Sequence, residues 1–270
     1  MFDKFFHKTL GFPYKLSKPV DEGSGPVLVF LHGIASSHHV WDPAIVSLSK
    51  KYRCISFDLL GFGSSPRPKW PQYSASDHIR AIHRSLESLP VESPVILIGH
   101  SMGSILAVAY AEKYPKDVSH LILCSLPIYT SQISTGKKHR SIDGLYEAIY
   151  KRMIANKQLT LYEAGVIKRL MKYSEEFEAN DANWHSTSGS LENTILSQST
   201  MEHADKLVQP ISLIVGRADM LVIKKNIEAF AHKAKNASVT YINAAHNMNQ
   251  AYADQISKQV RAITENKPTL

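Results

Sequence analysis

Residues 99–103 read Gly-His-Ser-Met-Gly, so that one serine stands between two glycines, each two positions away. A short apolar run, 95–98, precedes this pattern, and an apolar-rich stretch, 105–110, follows it. A buried strand that turns sharply into a helix exposes the side chain at the turn, and glycine is needed where the neighbouring backbone closes in. The pattern therefore predicts that Ser101 is a nucleophile on a strained turn.

A serine hydroxyl is a weak nucleophile unless a base takes its proton and a third group orients that base. The sequence offers both groups after late strand-like runs, because Asp219 follows the run 211–215 and His246 follows the run 239–242. Side chains that follow parallel strands meet at one edge of the sheet. We therefore predict that His246 is the base and that Asp219 orients it. Taken singly, Asp219 could cap the next helix and His246 could be a surface histidine.

Acyl transfer to a serine also needs hydrogen-bond donors for the oxyanion that develops on the substrate. The backbone N–H after the nucleophile, that of Met102, is one predicted donor. The loop after the run 27–31 reads His32-Gly33-Ile34, and the N–H of Ile34 is the second. These groups need no metal and no organic cofactor, and we expect neither.

Short apolar runs alternate with helical patterns along most of the chain. The runs do not alternate regularly between apolar and polar residues, which predicts burial on both faces of a mostly parallel sheet with helices on both sides, an α/β fold. The predicted strands cover 27–31, 54–57, 95–98, 121–124, 211–215 and 239–242. Ser76 or Asp77 is the predicted cap of the helix that contains Ile79.

The alternation stops between residues 127 and 206, where helical periodicity continues without a strand-like run. We predict that 127–206 is a helical cap, and that 1–126 and 207–270 form the α/β core. Apolar stripes should pack this cap on the core; they comprise Leu145, Ile149 and Met153, then Leu161, Ala164, Ile167 and Met171. The aromatic residues Tyr129, Tyr146, Tyr150, Tyr162 and Trp184 could line a pocket, although aromatic residues at helical spacing more often form a core.

Segments 31–33, 58–65 and 99–103, together with Asp219 and His246, resemble the α/β-hydrolase-fold superfamily, and within it the cap-bearing serine hydrolases. The resemblance implies hydrolysis of a small to medium carboxylic ester through an acyl-enzyme on Ser101. It implies a structural role for the turn that begins at Asp58. Serine at position 101 disfavours dehalogenase and epoxide-hydrolase chemistry, which needs a carboxylate nucleophile.

Two other kinds of function stay open at this point. Hydrolysis of a carbon–carbon bond, a thioester or a lactone would use the same three side chains. His100 disfavours a carbon–carbon hydrolase without excluding it, because similar ring-cleavage hydrolases usually carry asparagine at this position. A ligand-binding receptor on the hydrolase fold is the alternative from a different class. Adduct formation with a fluorophosphonate separates an enzyme from a receptor.

The net charge is +7, but the lysines are scattered, so we expect a small-molecule substrate and no nucleic-acid partner. No uninterrupted apolar run is long enough to span a membrane, and the first ten residues lack a signal-peptide core. These features predict a cytoplasmic protein without stable membrane insertion; no pattern specifies an oligomeric state. We expect Cys54 and Cys124 to be buried thiols, and the apolar residues Phe2, Phe5, Phe6 and Leu10 to pack against the domain.

Overall fold

The computed structural model describes residues 5–91, 94–129, 142–170 and 178–265, and side chains within these ranges except those of 167–170. Seven strands form one sheet with the spatial order β1-β3-β2-β4-β5-β6-β7. The strands are β1 Val20–Glu22, β2 Val27–Leu31, β3 Arg53–Phe57, β4 Val95–His100, β5 Val118–Cys124, β6 Ile211–Gly216 and β7 Ala237–Ile242. Strand β1 pairs with β3 antiparallel, and the other pairs are parallel.

Helices cover both faces of this sheet. They are α1 Asp42–Leu48, α2 Ala75–Glu87, α3 Met102–Lys113, α4 Ile142–Ala155, α5 Lys157–Leu170, α6 Trp184–Ser190, α7 Thr200–His203, α8 Lys224–Ala234 and α9 Gln250–Glu265. Along β2, Val29 and Leu31 belong to one hydrophobic core, whereas Leu28 and Phe30 belong to the other. Because a strand directs successive side chains to opposite faces, the sheet is buried on both sides, as its apolar runs predict.

The strand register brings the carboxyl ends of the central strands to one edge of the sheet. Leu31 pairs with both Phe57 and Gly99, and Gly99 pairs with Leu123. Further along, Gly216 pairs with Ile242. The loops that follow β2, β3, β4, β5, β6 and β7 therefore meet along a single edge, and the predicted site residues lie on these loops.

The described residues of segment 127–206, which we call the cap segment, contain helices and no strand. The C-terminal part of this segment is hydrogen-bonded to the core. Ser186 Oγ donates to the carbonyl of Gly61 over 2.8 Å, and Thr194 Oγ1 donates to the carbonyl of Tyr73 over 2.8 Å. These contacts join the cap segment to the loop after β3 and to the start of α2.

The predicted packing stripe of α4 is wrong at Leu145 and Ile149 and confirmed at Met153. Leu145 and Ile149 are 58% and 39% exposed, whereas Tyr146, Tyr150 and Met153 are partly buried against the core. The tyrosine face turns inward because its hydroxyl groups find partners there. Tyr146 donates to the Met220 carbonyl of the loop after β6, and the Tyr150 hydroxyl lies 3.0 Å from that of Tyr129. In the second stripe, Met171 lies outside the described residues.

Three smaller expectations also differ from the structure. Helix α2 is capped by Ser74, two residues earlier than predicted, because Ser74 and Asp77 exchange hydrogen bonds in a capping box. The short strand β1 was not predicted, since two of its three residues are acidic and exposed. Phe5 and Leu10 do not pack against the domain and are 52% and 51% exposed; Phe2 lies outside the described residues.

Both cysteines are buried free thiols, as expected. Burial raises the pKa of the Cys54 thiol to about 12 and raises that of Cys124 as well. Among the helices of the described ranges, none is both long and apolar enough to cross a membrane.

Candidate active site

Ser101 lies at the turn between β4 and α3. Its backbone φ is 53° and its ψ is −120°, a conformation that non-glycine residues rarely adopt. The turn is fixed from both sides, because the N–H of Ser101 donates to the carbonyl of Cys124 over 3.0 Å, and the carbonyl of Ser101 accepts from Ser104 over 2.9 Å. Such strain persists only where the surroundings impose it.

The flanking glycines are required by close backbone contacts. A Cβ on Gly99 would overlap the carbonyl of Gly103, and a Cβ on Gly103 would overlap the carbonyl of Leu31 at the end of β2. Helix α3 can therefore start directly against the sheet, which leaves Ser101 at the edge where the other loops arrive.

The structure brings the side chains of Ser101, His246 and Asp219 together. The Ser101 Oγ and His246 Nε2 atoms are 3.0 Å apart, and His246 Nδ1 lies 2.9 and 3.0 Å from the two carboxylate oxygens of Asp219. Since a carboxylate only accepts hydrogen bonds, Nδ1 is the protonated nitrogen and Nε2 is free to accept from the serine hydroxyl. The Asp219 side chain is fully buried, and that of His246 is 13% exposed.

The carboxyl group of Asp219 is held in its charged form. Burial alone raises its pKa, but the side chains of His246 and Ser125 and the N–H of Leu221 outweigh burial and leave the pKa below its ordinary value. The Leu221 N–H donates to Oδ1 over 2.9 Å. The loop after β6 therefore presents an anion to the imidazole of His246.

The loop 32–38, which follows β2, lies directly against the serine turn. A Cβ placed on Gly33 would be 3.3 Å from the Cβ of Ser101. The Gly33 carbonyl faces the ring of His32, whose Nδ1 lies 2.7 Å away. Because the C=O and N–H of a trans peptide point in opposite directions, the N–H of Ile34 is directed away from the His32 ring. The amide of Met102, the first residue of α3, has no carbonyl one turn before it in the helix.

The side chain of His32 fixes this peptide in place. The Leu59 N–H donates to His32 Nε2 over 2.9 Å, so Nδ1 holds the proton and donates to the Gly33 carbonyl. Sequence reasoning used the His32-Gly33 pair only for the glycine and missed the imidazole. The position of His32, immediately after a buried strand at the predicted edge, was the available signal.

Asp58 supports the far end of the same loop. Its carboxylate accepts hydrogen bonds from the N–H and Nδ1 of His38 and from the N–H and Oγ of Ser64, at 2.7 to 2.9 Å. Burial raises the pKa of this carboxyl, and the donors of Ser64 and His38 bring it below its ordinary value. Asp58 thus joins the loops after β2 and β3, in line with the structural role that the resemblance implies.

Three buried histidines should make the stability of the fold sensitive to acid. Burial lowers the pKa of His32 to about 4, and those of His78 and His100 to about 3, from an ordinary 6.5. Below pH 6.5 the unfolded chain binds protons that the folded chain does not. The free energy of unfolding should therefore fall as the pH drops from about 6.5 toward about 4, by up to about 1.4 kcal/mol per pH unit for each histidine.

Urea unfolding monitored by circular dichroism at about pH 7.5 and about pH 5 measures this effect. His78→Gln is the matched variant, because His78 Nε2 contacts Ser190 Oγ in the cap segment. His32 and His100 instead contact the loops of Gly33 and His246. Its pH dependence should be shallower than that of the unsubstituted protein. Equal unfolding midpoints at the two pH values would contradict the prediction.

The cap segment contacts the loop that holds Asp219. Tyr146 donates its hydroxyl hydrogen to the Met220 carbonyl, and Tyr129 donates to the Leu221 carbonyl over 2.9 Å. The hydroxyl groups of Tyr129 and Tyr150 are 3.0 Å apart. These tyrosines therefore join α4 and the first residues of the cap segment to the loop after β6, rather than forming only an apolar stripe.

In the ranges that the structure describes, no cluster of three or more His, Cys, Asp or Glu side chains is arranged to hold a metal ion. The arrangement of Ser101, His246 and Asp219 is suited to acid–base activation of a hydroxyl group. The Met102 amide directly follows Ser101 in the chain, and the loop that contains Ile34 lies against the serine turn at Gly33.

The comparison with protein families gives one match over most of the chain: a family described as alpha/beta hydrolase fold matches residues 26–249. A 120-residue segment is 34% identical to the probable lysophospholipase BODYGUARD 1 of Arabidopsis thaliana, covering 43% of this chain and 26% of that protein. A 99-residue segment is 40% identical to the (lyso)-N-acylphosphatidylethanolamine lipase of Bos taurus, covering 36% of this chain and 29% of that protein. The matches thus span less than a third of either relative.

Among solved structures, an esterase from Exiguobacterium antarcticum superposes with a TM-score of 0.76 at 19% sequence identity. The superposition covers 94% of this chain and 100% of the esterase. At this identity the likeness is one of fold.

Proposed function

The chain belongs to the alpha/beta hydrolase fold family, and we propose that it is a serine hydrolase that cleaves carboxylic esters through an acyl-enzyme on Ser101. The observation that carries the proposal is the continuous set of contacts from Ser101 Oγ to His246 Nε2, and from His246 Nδ1 to the Asp219 carboxylate. A carboxylate, an imidazole and a hydroxyl in this order activate the hydroxyl for attack on a carbonyl carbon.

In the first half-reaction His246 Nε2 takes the hydroxyl proton while Ser101 Oγ bonds to the ester carbonyl carbon. The oxyanion of the tetrahedral intermediate accepts hydrogen bonds from the N–H groups of Ile34 and Met102. The imidazolium then protonates the leaving alkoxide, and the acyl group stays on Ser101. Asp219 holds the tautomer of His246 and stabilises its charge.

In the second half-reaction His246 takes a proton from water, and the hydroxide attacks the acyl carbon. The intermediate collapses, Ser101 Oγ leaves with the proton that His246 held, and the carboxylic acid is released. The cycle consumes one water and regenerates the starting protonation states, so the chain's own groups are sufficient.

The names of the two curated relatives, a probable lysophospholipase and an N-acylphosphatidylethanolamine lipase, support acyl esters of lipids as substrates to test beside short esters. The cap segment, with Tyr129, Tyr146 and Tyr150 next to the Asp219 loop, is the proposed determinant of acyl length. The division into a core and a cap at residues 127 and 206, and the cytoplasmic location, stay predictions.

Two assays test the proposal. Incubation with a fluorophosphonate should label an enzyme of this type, whereas a ligand-binding receptor with a distorted site would label slowly or not at all. Turnover of p-nitrophenyl esters, a lysophospholipid and a vinylogous diketone should then be compared. Turnover of the diketone alone would replace ester hydrolysis with carbon–carbon bond hydrolysis.

The proposed oxyanion loop gives a prediction for His32. His32→Gln can accept from the Leu59 N–H but loses the donor to the Gly33 carbonyl, whereas His32→Asn can keep that donor. We expect kcat to fall about 100-fold in the Gln variant, with KM nearly unchanged, because one oxyanion donor is no longer held in place. The Asn variant should retain more of the rate.

The measurement is kcat per active site, with sites counted by fluorophosphonate titration so that unfolded protein does not contribute. Equal rates for His32→Gln and the unsubstituted protein would show that the Ile34 peptide does not depend on the His32 side chain.

A further inference from the structure

The loop that holds His246 is anchored through three successive backbone carbonyls. The Ala244 carbonyl accepts from the N–H of Ala218 over 3.0 Å, the Ala245 carbonyl lies 3.2 Å from the Tyr252 hydroxyl, and the His246 carbonyl lies 2.8 Å from His100 Nε2. Residues 243–249 belong to neither a helix nor a strand. Side-chain donors therefore hold backbone that no regular hydrogen-bonding pattern supports.

His100 can act only as a donor in this arrangement. A carbonyl oxygen accepts hydrogen bonds, so Nε2 has to hold the proton of the neutral ring. His100 Nδ1 is buried without a hydrogen-bond partner among the described residues, and a second proton there would be unpaired and close to the His246 ring, whose centroid is 5.1 Å away. Burial first, and then the neighbouring His246, lowers the pKa of His100 to about 3. The ring thus stays neutral.

Tyr252 links the same loop to the region behind Asp219. Its side chain is fully buried, and its hydroxyl lies 2.6 Å from the Oγ of Ser125, the residue that follows β5. The Ser125 side chain in turn helps to lower the pKa of Asp219. The Tyr252 hydroxyl therefore contacts both the loop that holds His246 and Ser125, which acts on Asp219.

We propose that His100 and Tyr252 are positioning residues, which hold the backbone of Ala245 and His246 so that the His246 imidazole stays between Ser101 and Asp219. The inference rests on the proposed function. Neither side chain touches the reacting atoms. They act on the base through its backbone, and a displacement of about 1 Å in a catalytic group can reduce a rate about 100-fold.

The first arm of the test replaces His100 by three residues. His100→Leu removes the donor, His100→Gln places an amide nitrogen near the position of Nε2, and His100→Asn places one near Nδ1. We expect kcat per titrated active site to fall about 10- to 100-fold in the Leu and Asn variants, with KM within about two-fold of the unsubstituted value. The Gln variant should recover most of kcat.

The second arm uses Tyr252→Phe, which removes one oxygen and keeps the ring. A loss of kcat smaller than that of His100→Leu is expected, and the double variant should lose less than the product of the two single effects, because both side chains hold one loop. His83→Gln is the control for loss of a histidine. His83 lies beside Asp117, the residue that precedes β5, at the edge of the sheet opposite the candidate site. The kcat of His83→Gln should equal that of the unsubstituted protein.

Hydrogen–deuterium exchange of peptides that cover 243–249 provides a readout that is independent of hydrolysis. Faster exchange in His100→Leu than in His83→Gln supports the anchor. If the unsubstituted protein neither reacts with a fluorophosphonate nor cleaves esters, that absence of activity overturns only the proposed function. Unchanged exchange and unchanged kcat in folded His100→Leu would overturn the anchor alone. A His100→Gln variant as slow as His100→Leu would overturn the assignment of Nε2 as the donor.

Discussion

Replacement of Ser101 by alanine should reduce ester hydrolysis about 10⁵- to 10⁶-fold. The change removes one oxygen, which is the atom 3.0 Å from His246 Nε2, and leaves no other hydroxyl in the same position. The residual rate of Ser101→Ala should reflect the acceleration that the oxyanion donors provide by themselves. Initial rates with a p-nitrophenyl ester at saturating concentration measure the effect.

The matched control is Ser104→Ala, three residues further along α3. Ser104 is also buried, and its Oγ donates to the Cys124 carbonyl over 3.0 Å rather than to His246. It should lose about 1 kcal/mol of unfolding free energy and keep its rate. If Ser101→Ala retained the same rate as Ser104→Ala, Ser101 would not be the nucleophile.

Replacement of Asp219 by asparagine should lower kcat about 10⁴-fold with little change in KM. Both carboxylate oxygens lie within hydrogen-bond distance of His246 Nδ1, and an amide that presents its NH₂ group there favours the tautomer protonated on Nε2. That tautomer has no lone pair to accept the Ser101 proton. The rate per titrated site should therefore fall even though the shape of the side chain is kept.

Asp58→Asn is the comparison for this variant, since Asp58 is another buried carboxylate at the same edge of the sheet. Asp58 contacts His38 and Ser64 and not His246. Its replacement should therefore lower the free energy of unfolding and leave kcat per active site much closer to the unsubstituted value than Asp219→Asn does. Equal losses of kcat in the two variants would contradict the role proposed for Asp219.

The strands that position the site could be predicted because each contains a short apolar run. All six predicted strands are present, since short apolar runs such as 95–98 are typical of strands in a sheet that is covered on both faces. Strand β1 could not be found in this way. It is the outermost strand of the described sheet, next to β3, and its acidic residues face solvent.

Periodicity failed where polar atoms decided the packing. In α4 the pattern favours the face of Leu145 and Ile149, but the tyrosine face is the one that turns inward. A tyrosine contributes a large apolar ring and a hydroxyl that must find a partner when buried, and the loop after β6 offers carbonyls for this purpose. The hydropathy pattern of a helix gives no information about where those carbonyls lie.

The same reason explains which site residues were missed. Ser101, Asp219 and His246 could be proposed from the sequence because their residue types suit acyl transfer and each follows a predicted strand. His32, His100 and Tyr252 act on backbone carbonyls, which every residue has, so no partner residue type marks these contacts in the sequence. Only the folded chain shows that they converge on the loops of Ile34 and His246.

The most direct test of the proposed reaction is mass spectrometry of the protein quenched with acid during turnover of a p-nitrophenyl ester. We expect a covalent adduct of one acyl group, mapped by proteolysis to the peptide that contains Ser101 and absent from Ser101→Ala. Turnover without any acyl adduct, or an adduct on a different residue, would show that Ser101 does not form an acyl-enzyme.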